Sequence, residues 1–293
     1  MVVAPPQSPG DSREWLADLI EGVRLTPKGH DVALALTKNP RAAAFMPASQ
    51  LAQEIGVNTA TVVRFAQSLG FSGWKEFQLH FRHRYLASVL PSEMAGERPE
   101  ERWQTPFDAV LHHDIENLQA ALSTVDRAVL ANVVRTLGSA RKTLVISSGS
   151  YSAVGHILAH KMTVMGYDAR LETRGGIHAI TALSTMGEQD CLVAISFLRL
   201  VRHVVVGIQE GKRRGIPTIA ITDSIFSPLA RAATYTLMVP TESISWFQSL
   251  TAAVSVVNGL TSELHVFGGE RVDTAIKAVE GLYDDFDVLY QWD

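Results

Sequence analysis

Residues 49–71 read SQLAQEIGVNTATVVRFAQSLGF, and this stretch sets the fold of the first third of the chain. Apolar residues keep helical spacing on both sides of Gly56. Glycine suits a tight turn, and Asn58 is a residue type that caps helices. The stretch therefore predicts two helices joined by a short turn. The residues predicted to face inward are Leu51, Ala52, Ile55, Val62, Phe65 and Leu69.

The second of these helices opens with small polar residues. A helix-turn-helix motif lays such a helix in the major groove of DNA. A plain helical hairpin in a bundle satisfies the apolar spacing equally well. We favour DNA binding because the small Ala52, the turn glycine, the capped second helix and its polar first turn coincide. The candidate DNA-binding residues are Ser49, Asn58, Thr59, Thr61, Arg64 and Lys75.

These candidates have different predicted roles. Ser49 is also predicted to cap the first helix, and Asn58 to cap the second. Thr59 and Thr61 are predicted to lie on the outer side or the flank of the helix, and are candidates for base or phosphate contacts. Arg64 and Lys75 are candidates for phosphate neutralisation. Arg82 and Arg84, further along, are interpreted as solvated charges on a helix face.

Composition bounds the remaining possibilities. The chain has 293 residues, 46% of them hydrophobic, which suggests two globular domains. Its single cysteine, Cys191, excludes an intramolecular disulfide and a Cys-based metal site. The net charge of −4 argues against a broadly basic nucleic-acid binder. Residues 1–90 nevertheless carry nine Lys/Arg against seven Asp/Glu, and the remainder 17 against 23, so a DNA-binding first domain is permitted.

The sequence predicts no metal site, no cofactor and no membrane span. The histidines lack metal-ligand spacing, and no apolar run approaches the ~18 residues that a membrane helix needs. Residues 1–11 contain tandem prolines and no basic segment, so we expect a disordered tail rather than a secretion signal. A cytoplasmic location is expected.

The pattern changes after a polar segment. Residues 12–90 read as helices, residues 91–105 as a linker with Pro91, Gly96 and Pro99, and residues 106–293 as a second domain. In that domain, short apolar runs alternate with helical segments, which predicts a doubly wound α/β fold with a five-stranded parallel sheet. The predicted strands are 143–147, 168–172, 191–197, 218–223 and 235–239, and the last helices are 246–266 and 270–288.

The run ATVVRFAQSLGFSGWKEFQ, residues 60–78, resembles the signature of the RpiR family of bacterial transcription regulators. The resemblance implies an N-terminal helix-turn-helix domain followed by a sugar isomerase (SIS) domain, with two ligand loops after the first and third strands. It covers nearly the whole chain.

The loop after the first predicted strand reads SSGSYSAVG, residues 147–155. Hydroxyls and backbone N–H groups at a helix N-terminus favour an anion. An ordinary serine-rich turn would explain the loop as well. It resembles the family's Gly-x-Gly-x-Ser loop, although Ser147 replaces the first glycine and Tyr151 stands where a serine is expected.

The loop after the third predicted strand departs further from the family. In LVAISFLRLVRH, residues 192–203, the strand reaches Ser196, but Leu198, Arg199 and Val201 replace the second Ser, the Gly and the Thr of the family's Ser-x-Ser-Gly-x-Thr phosphate loop. Arg199 is predicted to bind the anion instead, through its planar fork. Arg202 is predicted to share a helix face with it, or to be solvated.

A third stretch matches the family without departing from it. TDSIFSPLA, residues 222–230, resembles an Asp-x-x-x-Ser-Pro-Leu-Ala turn in which Asp223 and Ser227 are predicted to cap a helix. The following region, from residue 241, is predicted to start the long helix. The candidate effector-binding residues are Ser147, Ser148, Gly149, Ser150, Ser152, Ser196, Arg199, Arg202 and Glu242.

These features predict a transcription regulator of carbohydrate metabolism genes rather than an enzyme. Its expected partners are operator DNA, a small anionic sugar-derived effector (a sugar phosphate or a sugar acid) and further copies of itself in a homodimer or homotetramer. The alternative is a SIS-type sugar-phosphate isomerase with a helical appendage. His156, His160 and His178 are candidate general bases for that chemistry by location only.

Overall fold

The structure is a computed structural model that describes residues 12–88, 105–225, 227–243 and 247–290. The predicted tail at 1–11 and residues 91–104 of the predicted linker lie outside the described residues. The chain divides into two compact units, one on each side of residue 96. Each unit has its own hydrophobic core.

The first unit is helical throughout its described length. Its helices are α1 (Ser12–Ile20), α2 (Pro27–Lys38), α3 (Pro40–Phe45), α4 (Ala48–Glu54), α5 (Thr59–Ser68) and α6 (Trp74–Ser88). Thr26 and Asn39 cap α2 and α3, and a proline follows each cap at the first helical position. Helix α2 therefore starts at the Thr26-Pro27 pair.

An aromatic cluster holds this unit together. Phe77 of α6 is fully buried, and its ring lies 5.3–5.9 Å from the rings of Trp15, Phe65, Phe71, Trp74 and Phe81. Such ring contacts add to the large apolar area that each side chain removes from water. The spacing of Phe77 and Phe81 on α6 thus marks the core.

The interpretation of Arg82 and Arg84 as solvated charges is wrong. Arg82 Nε donates to the carbonyl of Ala44 at 2.8 Å, and its guanidinium lies 5.2 Å from the centroid of the Phe45 ring. The Arg84 guanidinium lies 4.2 Å from the centroid of the Trp15 ring. Arginine side chains can pack their stems against apolar surface and place the guanidinium over an aromatic ring. Through such contacts Arg82 connects α6 to α3, and Arg84 connects α6 to α1.

The second unit is a parallel sheet covered by helices. Its strands are β1 (Thr143–Ile146), β2 (Ala169–Glu172), β3 (Cys191–Ile195), β4 (Thr218–Thr222) and β5 (Tyr235–Met238). Its helices are α7 (Pro106–Thr124), α8 (Arg127–Ser139), α9 (Ser152–Val164), α10 (Gly176–Ser184), α11 (Arg202–Arg213), α12 (Pro228–Ala232), α13 (Thr251–Gly268) and α14 (Glu270–Asp285).

All four strand pairings are parallel, and the strand order is β2-β1-β3-β4-β5. The predicted doubly wound α/β fold is confirmed, and each strand is one or two residues shorter than predicted. Side chains alternate between the two faces, so the odd-numbered Val145 and Val193 pack with α8, α9 and α13, whereas Ile146 and Ala194 pack with α10, α11 and α12.

The predicted start of the long C-terminal helix is wrong. Helix α13 begins at Thr251, and the described residues of 241–250 are not helical. Ser249 Oγ and Thr251 Oγ1 both donate to the Asp114 carboxylate on α7. These two bonds hold the start of α13 against α7, and the helical periodicity of residues 247–250 is not realised as a helix.

Candidate DNA interface and effector site

The motif in residues 49–71 folds as two helices around a glycine turn. Helices α4 and α5 pack together through buried Leu51, Val62 and Phe65. Gly56 adopts φ +72°, the left-handed conformation that glycine reaches without steric cost. The helix–turn–helix arrangement is as predicted.

The Asn58 cap is confirmed, but the outward direction of Thr61 is wrong. Asn58 Oδ1 accepts from the backbone N–H of Thr61 at 2.8 Å, and the Thr61 hydroxyl donates to the same oxygen at 2.8 Å. Thr61 is only 7% exposed. Because its hydroxyl donates to the capping Asn58 and the residue is buried, Thr61 does not present a hydroxyl to bases or phosphates.

Ser49 does not cap its helix. Helix α4 begins one residue earlier, at Ala48, with Pro47 at the N-cap position. Ser49 is exposed on the first turn. The predicted cap is wrong, because Pro47 occupies the N-cap position and Ser49 is the second residue of the helix. A DNA contact by Ser49 remains a prediction.

The remaining candidates are exposed on α5 and at the start of α6. Thr59 and Arg64 are exposed on this helix, and Lys75 is exposed on the first turn of α6. Gln67 extends the same exposed side, and its amide donates to the carbonyl of Ser72 at 3.4 Å. This surface combines hydroxyl, amide and cationic groups, which is the chemistry that contacts base edges and phosphates.

The second candidate site lies at the carboxyl edge of the sheet. The strand order places β1 beside β3, and the helices that follow them, α9 and α11, cover opposite faces. Ligands of open α/β sheets bind in the crevice that this reversal opens. The loops after β1 and β3, which the resemblance marked as ligand loops, are therefore adjacent.

Two serines of the first loop are used by the fold. Ser147 is fully buried, and its hydroxyl donates to the carbonyl of Ile195 at 3.1 Å. Its assignment as an effector contact is wrong, because it extends β1 on the buried α9 face. Ser152 donates to the carbonyl of Gly149 at 2.6 Å and stabilises the turn. Ser148, Gly149 and Ser150 stay half-buried or exposed at the crevice.

The β3 loop holds an internal carboxylate. Leu198 adopts φ +37°, a conformation that non-glycine residues rarely take, and its N–H donates to Asp223 Oδ2 at 2.9 Å. The Thr241 hydroxyl donates to the same oxygen at 3.3 Å. Asp223 was predicted to cap α12. The Ser227 part of that prediction is confirmed, since Ser227 Oγ accepts from the N–H of Ala230.

Arg199 and Tyr151 meet at this loop. The backbone N–H of Arg199 hydrogen-bonds the Tyr151 phenol, whose ring packs edge-on against Phe197 at 5.3 Å. Burial, followed by the Asp223 carboxylate, raises the pKa of Tyr151 to about 12, so the phenol is neutral near pH 7. Burial also lowers the pKa of Arg199. A half-buried cation and a neutral phenol therefore line the end of β3.

Arg202 does not share a helix face with Arg199. Helix α11 begins at Arg202, whereas Arg199 lies three residues before it in the loop. Arg202 is exposed on the first turn. The solvated alternative is the one that the structure favours.

Two buried polar atoms lie near the same edge. Ser196 is fully buried, and among the described residues no group hydrogen-bonds its hydroxyl; the same holds for His203 Nε2 on α11. A Cβ added at Gly175 would lie 2.6 Å from the His203 ring, so glycine lets the loop after β2 approach α11. Buried polar groups usually have partners, and these two are available to a ligand or water.

The helices that follow the first three strands have no side-chain cap at their N-termini in the residues that the structure describes. Helices α9, α10 and α11, which follow β1, β2 and β3, have no side-chain cap bond within the described residues. In the described part of the chain, six other helices have such a bond, through Thr26, Asn39, Asn58, Thr105, Asp126 and Ser227, whereas α4, α13 and α14 also lack one. Because uncapped helix N-termini offer N–H groups and partial positive charge, the edge suits an anion.

Glu242 belongs to a contact with α7. The Glu242 backbone N–H donates to Asn117 Oδ1 at 3.1 Å, and Asn117 Nδ2 donates to the Glu242 carbonyl at 2.8 Å. Thr241, which contacts Asp223, is followed directly by Glu242, so these two hydrogen bonds connect the Asp223 loop to α7, the first helix of the second unit. The role of the Glu242 side chain as an effector contact stays a prediction.

Sequence reasoning missed Tyr151 and Thr241 as residues of this edge, and Asp223 as part of the β3 loop. The only sequence signal for Tyr151 was its departure from the family's serine. Asp223 and Thr241 follow β4 and β5, and a parallel sheet brings the ends of those strands to the same edge.

A membrane-spanning helix is not found among the described residues, since none of their helices is both long and apolar enough. The same residues contain no group of three or more His, Cys, Asp or Glu side chains that could hold a metal ion.

A helix-turn-helix unit followed by a doubly wound unit with an anion-suited edge defines a two-domain protein of the DNA-binding class. Residues 21–88 match the model of the helix-turn-helix domain of the rpiR family, and residues 136–262 match that of the SIS domain. The chain belongs to the RpiR family, with a C-terminal SIS domain.

Solved structures agree with this assignment. The sugar isomerase domain of an RpiR transcription factor from Sphaerobacter thermophilus is 29% identical, with a TM-score of 0.58, over 61% of this chain and 99% of that one. Vibrio vulnificus NanR, complexed with ManNAc-6P, is 20% identical, with a TM-score of 0.61, over 96% and 100%. An Escherichia coli CFT073 protein in complex with A5P is 19% identical, with a TM-score of 0.50, over 61% and 95%. The last two likenesses establish the fold alone.

Proposed function

We propose that this protein is a cytoplasmic transcription regulator of carbohydrate metabolism genes whose DNA affinity changes when a small anionic sugar derivative binds the SIS domain. The observation that carries the proposal is the combination of two domains in one chain. The first is an rpiR-family helix-turn-helix domain whose helix α5 exposes polar residues. The second is a SIS domain whose helices at the carboxyl edge of the sheet have no side-chain caps. The sugar phosphate in the NanR complex supports the effector class.

DNA binding is assigned to Thr59, Arg64 and Lys75, with Ser49 and the exposed Asn58 beside them. Effector binding is assigned to Ser148, Gly149, Ser150, Ser196 and Arg199, with Tyr151 added from the geometry. An effector shifts DNA affinity only if it binds the two states of the regulator with different affinity. The contacts Asp223–Thr241 and Glu242–Asn117 offer a physical connection from the effector loops to α7.

The isomerase alternative needs a general base beside the bound sugar. The candidates His156 and His160 lie exposed on α9, with their rings stacked on each other at 6.1 Å. His178 is also exposed, on α10. These positions give the alternative less support than the helix-turn-helix gives a regulator.

A footprinting experiment on the DNA upstream of the protein's own gene tests the proposal. We expect a protected site whose occupancy changes when one compound from a panel of sugar phosphates and sugar acids is added. The same panel is assayed for isomerisation. Turnover of a sugar phosphate without any protected DNA would establish the enzyme instead.

Replacing Arg64 by alanine should weaken binding to the protected site. If Arg64 contacts a phosphate, affinity falls equally for specific and random DNA, and the slope of log K against log salt becomes shallower by about 0.9. If it reads a base, the loss is about 1–3 kcal/mol and is confined to the specific site. Fluorescence anisotropy at several salt concentrations separates these outcomes.

The matched control is Lys28→Ala, which removes an exposed cation on α2. Its affinity should stay close to that of the unmodified protein. Equal losses of DNA affinity in the two variants would mean that Arg64 contributes only to the overall positive charge of the unit and makes no specific DNA contact.

A further inference from the structure

Two buried polar atoms at the carboxyl edge have no hydrogen-bond partner among the described residues. One is the hydroxyl oxygen of Ser196, a fully buried residue, and the other is Nε2 of His203 on the first turn of α11. Leaving a buried polar atom without a partner costs free energy, and buried polar groups usually have one. Each of the two atoms therefore needs a partner from outside the described residues.

The two groups lie on one face of the sheet. Ser196 continues the pairing of β3 with β4 through its N–H, so its side chain points to the same face as that of Ala194, which packs with α10 and α11. Helix α11 packs on the last residue of β1, because a Cβ on Gly207 would lie 3.1 Å from Ile146 Cδ1. This is the helix that carries His203.

The strand register places Ser196 and His203 at a common level. Ile146 and Ala194 are partners across β1 and β3. Ser196 lies two residues, about 6.6 Å, beyond Ala194. Helix α11 begins at the carboxyl edge, and His203 lies one turn, about 5.4 Å, nearer that edge than Gly207. Ser196 and His203 therefore face the same part of the crevice, beyond the ends of β1 and β3.

The ion pair beside this part of the crevice carries no net charge. Gly175, at φ +66°, brings the loop after β2 against the His203 ring, and a Cβ there would lie 2.6 Å from Nδ1 of the ring. Glu172, the last residue of β2 and the register partner of Ile146, accepts from the Arg174 guanidinium at 3.0 and 3.2 Å and from the Arg174 N–H at 2.8 Å. Because these two charges offset each other, the region favours neutral polar groups over ions.

A hydroxyl group is the partner that suits both atoms. A serine hydroxyl donates and accepts, whereas an imidazole nitrogen does one or the other, depending on the tautomer. A sugar hydroxyl satisfies either tautomer because it also donates and accepts, whereas a carboxylate only accepts and an ammonium only donates. Arg199 lies on the loop that joins Ser196 to His203, and it is the cation on this loop that suits an anionic group.

We propose that Ser196 and His203 bind neutral hydroxyl groups of the effector while Arg199 binds its anionic group, and that His203 is a specificity-determining residue of the site. The inference rests on the proposed function, since it states how the same site recognises the carbohydrate part of its effector. Where a site is built to hydrogen-bond a hydroxyl, a compound that lacks it leaves buried polar groups unpaired and is rejected. The pattern of hydroxyls, in addition to the negative charge, therefore selects the effector.

Isothermal titration of the full-length protein tests the role of His203. The probes are gluconate, glucuronate and glucose-6-phosphate, each compared with analogues that lack one hydroxyl. We expect the loss of one particular hydroxyl to weaken binding to the unmodified protein by about 5- to 150-fold, the range for an unsatisfied buried polar group. In His203→Phe, the intact compound should lose a similar factor, and removal of that hydroxyl should weaken binding no further. His203→Gln should keep part of the discrimination, because its amide reaches close to the position of Nε2.

Two further variants complete the comparison. Ser196→Ala should abolish the discrimination at a second hydroxyl and leave the discrimination by His203 in place. His30→Phe makes the His203→Phe change at an exposed position of α2, so its affinities should equal those of the unmodified protein. Melting temperatures without ligand identify a destabilised variant, and Ser196→Ala, which removes a single oxygen, keeps the inference testable if His203→Phe does not fold.

The affinity ratios between intact and deoxy compounds decide the outcome. Equal ratios in the unmodified protein, His203→Phe and Ser196→Ala would overturn the inference, since the two atoms would then bond ordered water only. If the same compounds still bind and Arg199→Ala weakens their binding, the proposed function stands while this inference fails. Absence of binding by every sugar acid and sugar phosphate of the panel would overturn both.

Discussion

Phe77→Ala is expected to destabilise the first unit by about 3–5 kcal/mol, the range for emptying a buried phenylalanine site. Its ring contacts five other aromatic rings, so the cavity would lie at the centre of the core and could not close without moving several helices. Domains are commonly stable by only about 5–15 kcal/mol, so this loss consumes a large part of the stability. Chemical denaturation of the full-length protein should show the transition of this unit shifted to lower denaturant.

The matched control for this prediction is Leu79→Ala on the same helix. Leu79 is exposed, so its removal should cost about 1 kcal/mol or less. DNA binding by Phe77→Ala should be lost wherever the unit is unfolded and should recover on cooling or in stabilising salt. If the two substitutions cost the same, the aromatic cluster is not the core of this unit.

The sequence predicted the fold well where hydrophobic spacing decides the structure. The five strands, the paired helices around Gly56 and the Asn58 cap all follow from local patterns that tertiary contacts reinforce. The strand ends were less predictable. Ser196 and Ser147 looked like equivalent loop residues, yet Ser147 extends β1 and bonds the carbonyl of Ile195.

The errors at the two sites have a common physical cause. A polar residue beside a turn can face solvent or bond to the backbone nearby, and the sequence does not distinguish these alternatives. Thr61 and Ser152 both satisfy backbone or cap groups within three residues. The role of Asp223 depends on Leu198, 25 residues earlier, whose left-handed conformation nothing in its side chain predicts.

The β3 loop also bears on the chemistry of the effector. In the family pattern, small and hydroxyl residues surround a phosphate, whereas here Leu198 is buried and its N–H already binds the Asp223 carboxylate. A dianionic phosphate placed at the end of β3 would meet that negative charge with one N–H fewer to offset it. We therefore expect a sugar acid, with one negative charge, to bind beside Arg199 and the neutral Tyr151 phenol more tightly than a sugar phosphate.

Arg199→Ala should therefore weaken the best ligand of the panel by about 10- to 150-fold, since hydrogen bonds to charged groups contribute about 1.5–3 kcal/mol each. Arg199→Lys should recover only part of that loss, because an ammonium keeps the charge but not the planar fork that grips a carboxylate. Isothermal titration gives the affinities, and ligand-free melting temperatures identify any general loss of stability.

Arg202→Ala is the matched control, because Arg202 is an exposed arginine three residues further along. Its affinity for the ligand should be unchanged. If the ligand raised the melting temperature of Arg199→Ala as much as that of the unmodified protein, Arg199 would not be part of the site. Equal losses of ligand affinity in Arg199→Ala and Arg202→Ala would mean that Arg199 acts only by long-range electrostatic attraction. A sugar phosphate that binds more tightly than the corresponding sugar acid, with Arg199 intact, would show that Asp223 does not repel the anion. The phosphate would then have to lie nearer the uncapped end of α9 and the hydroxyls of Ser148 and Ser150.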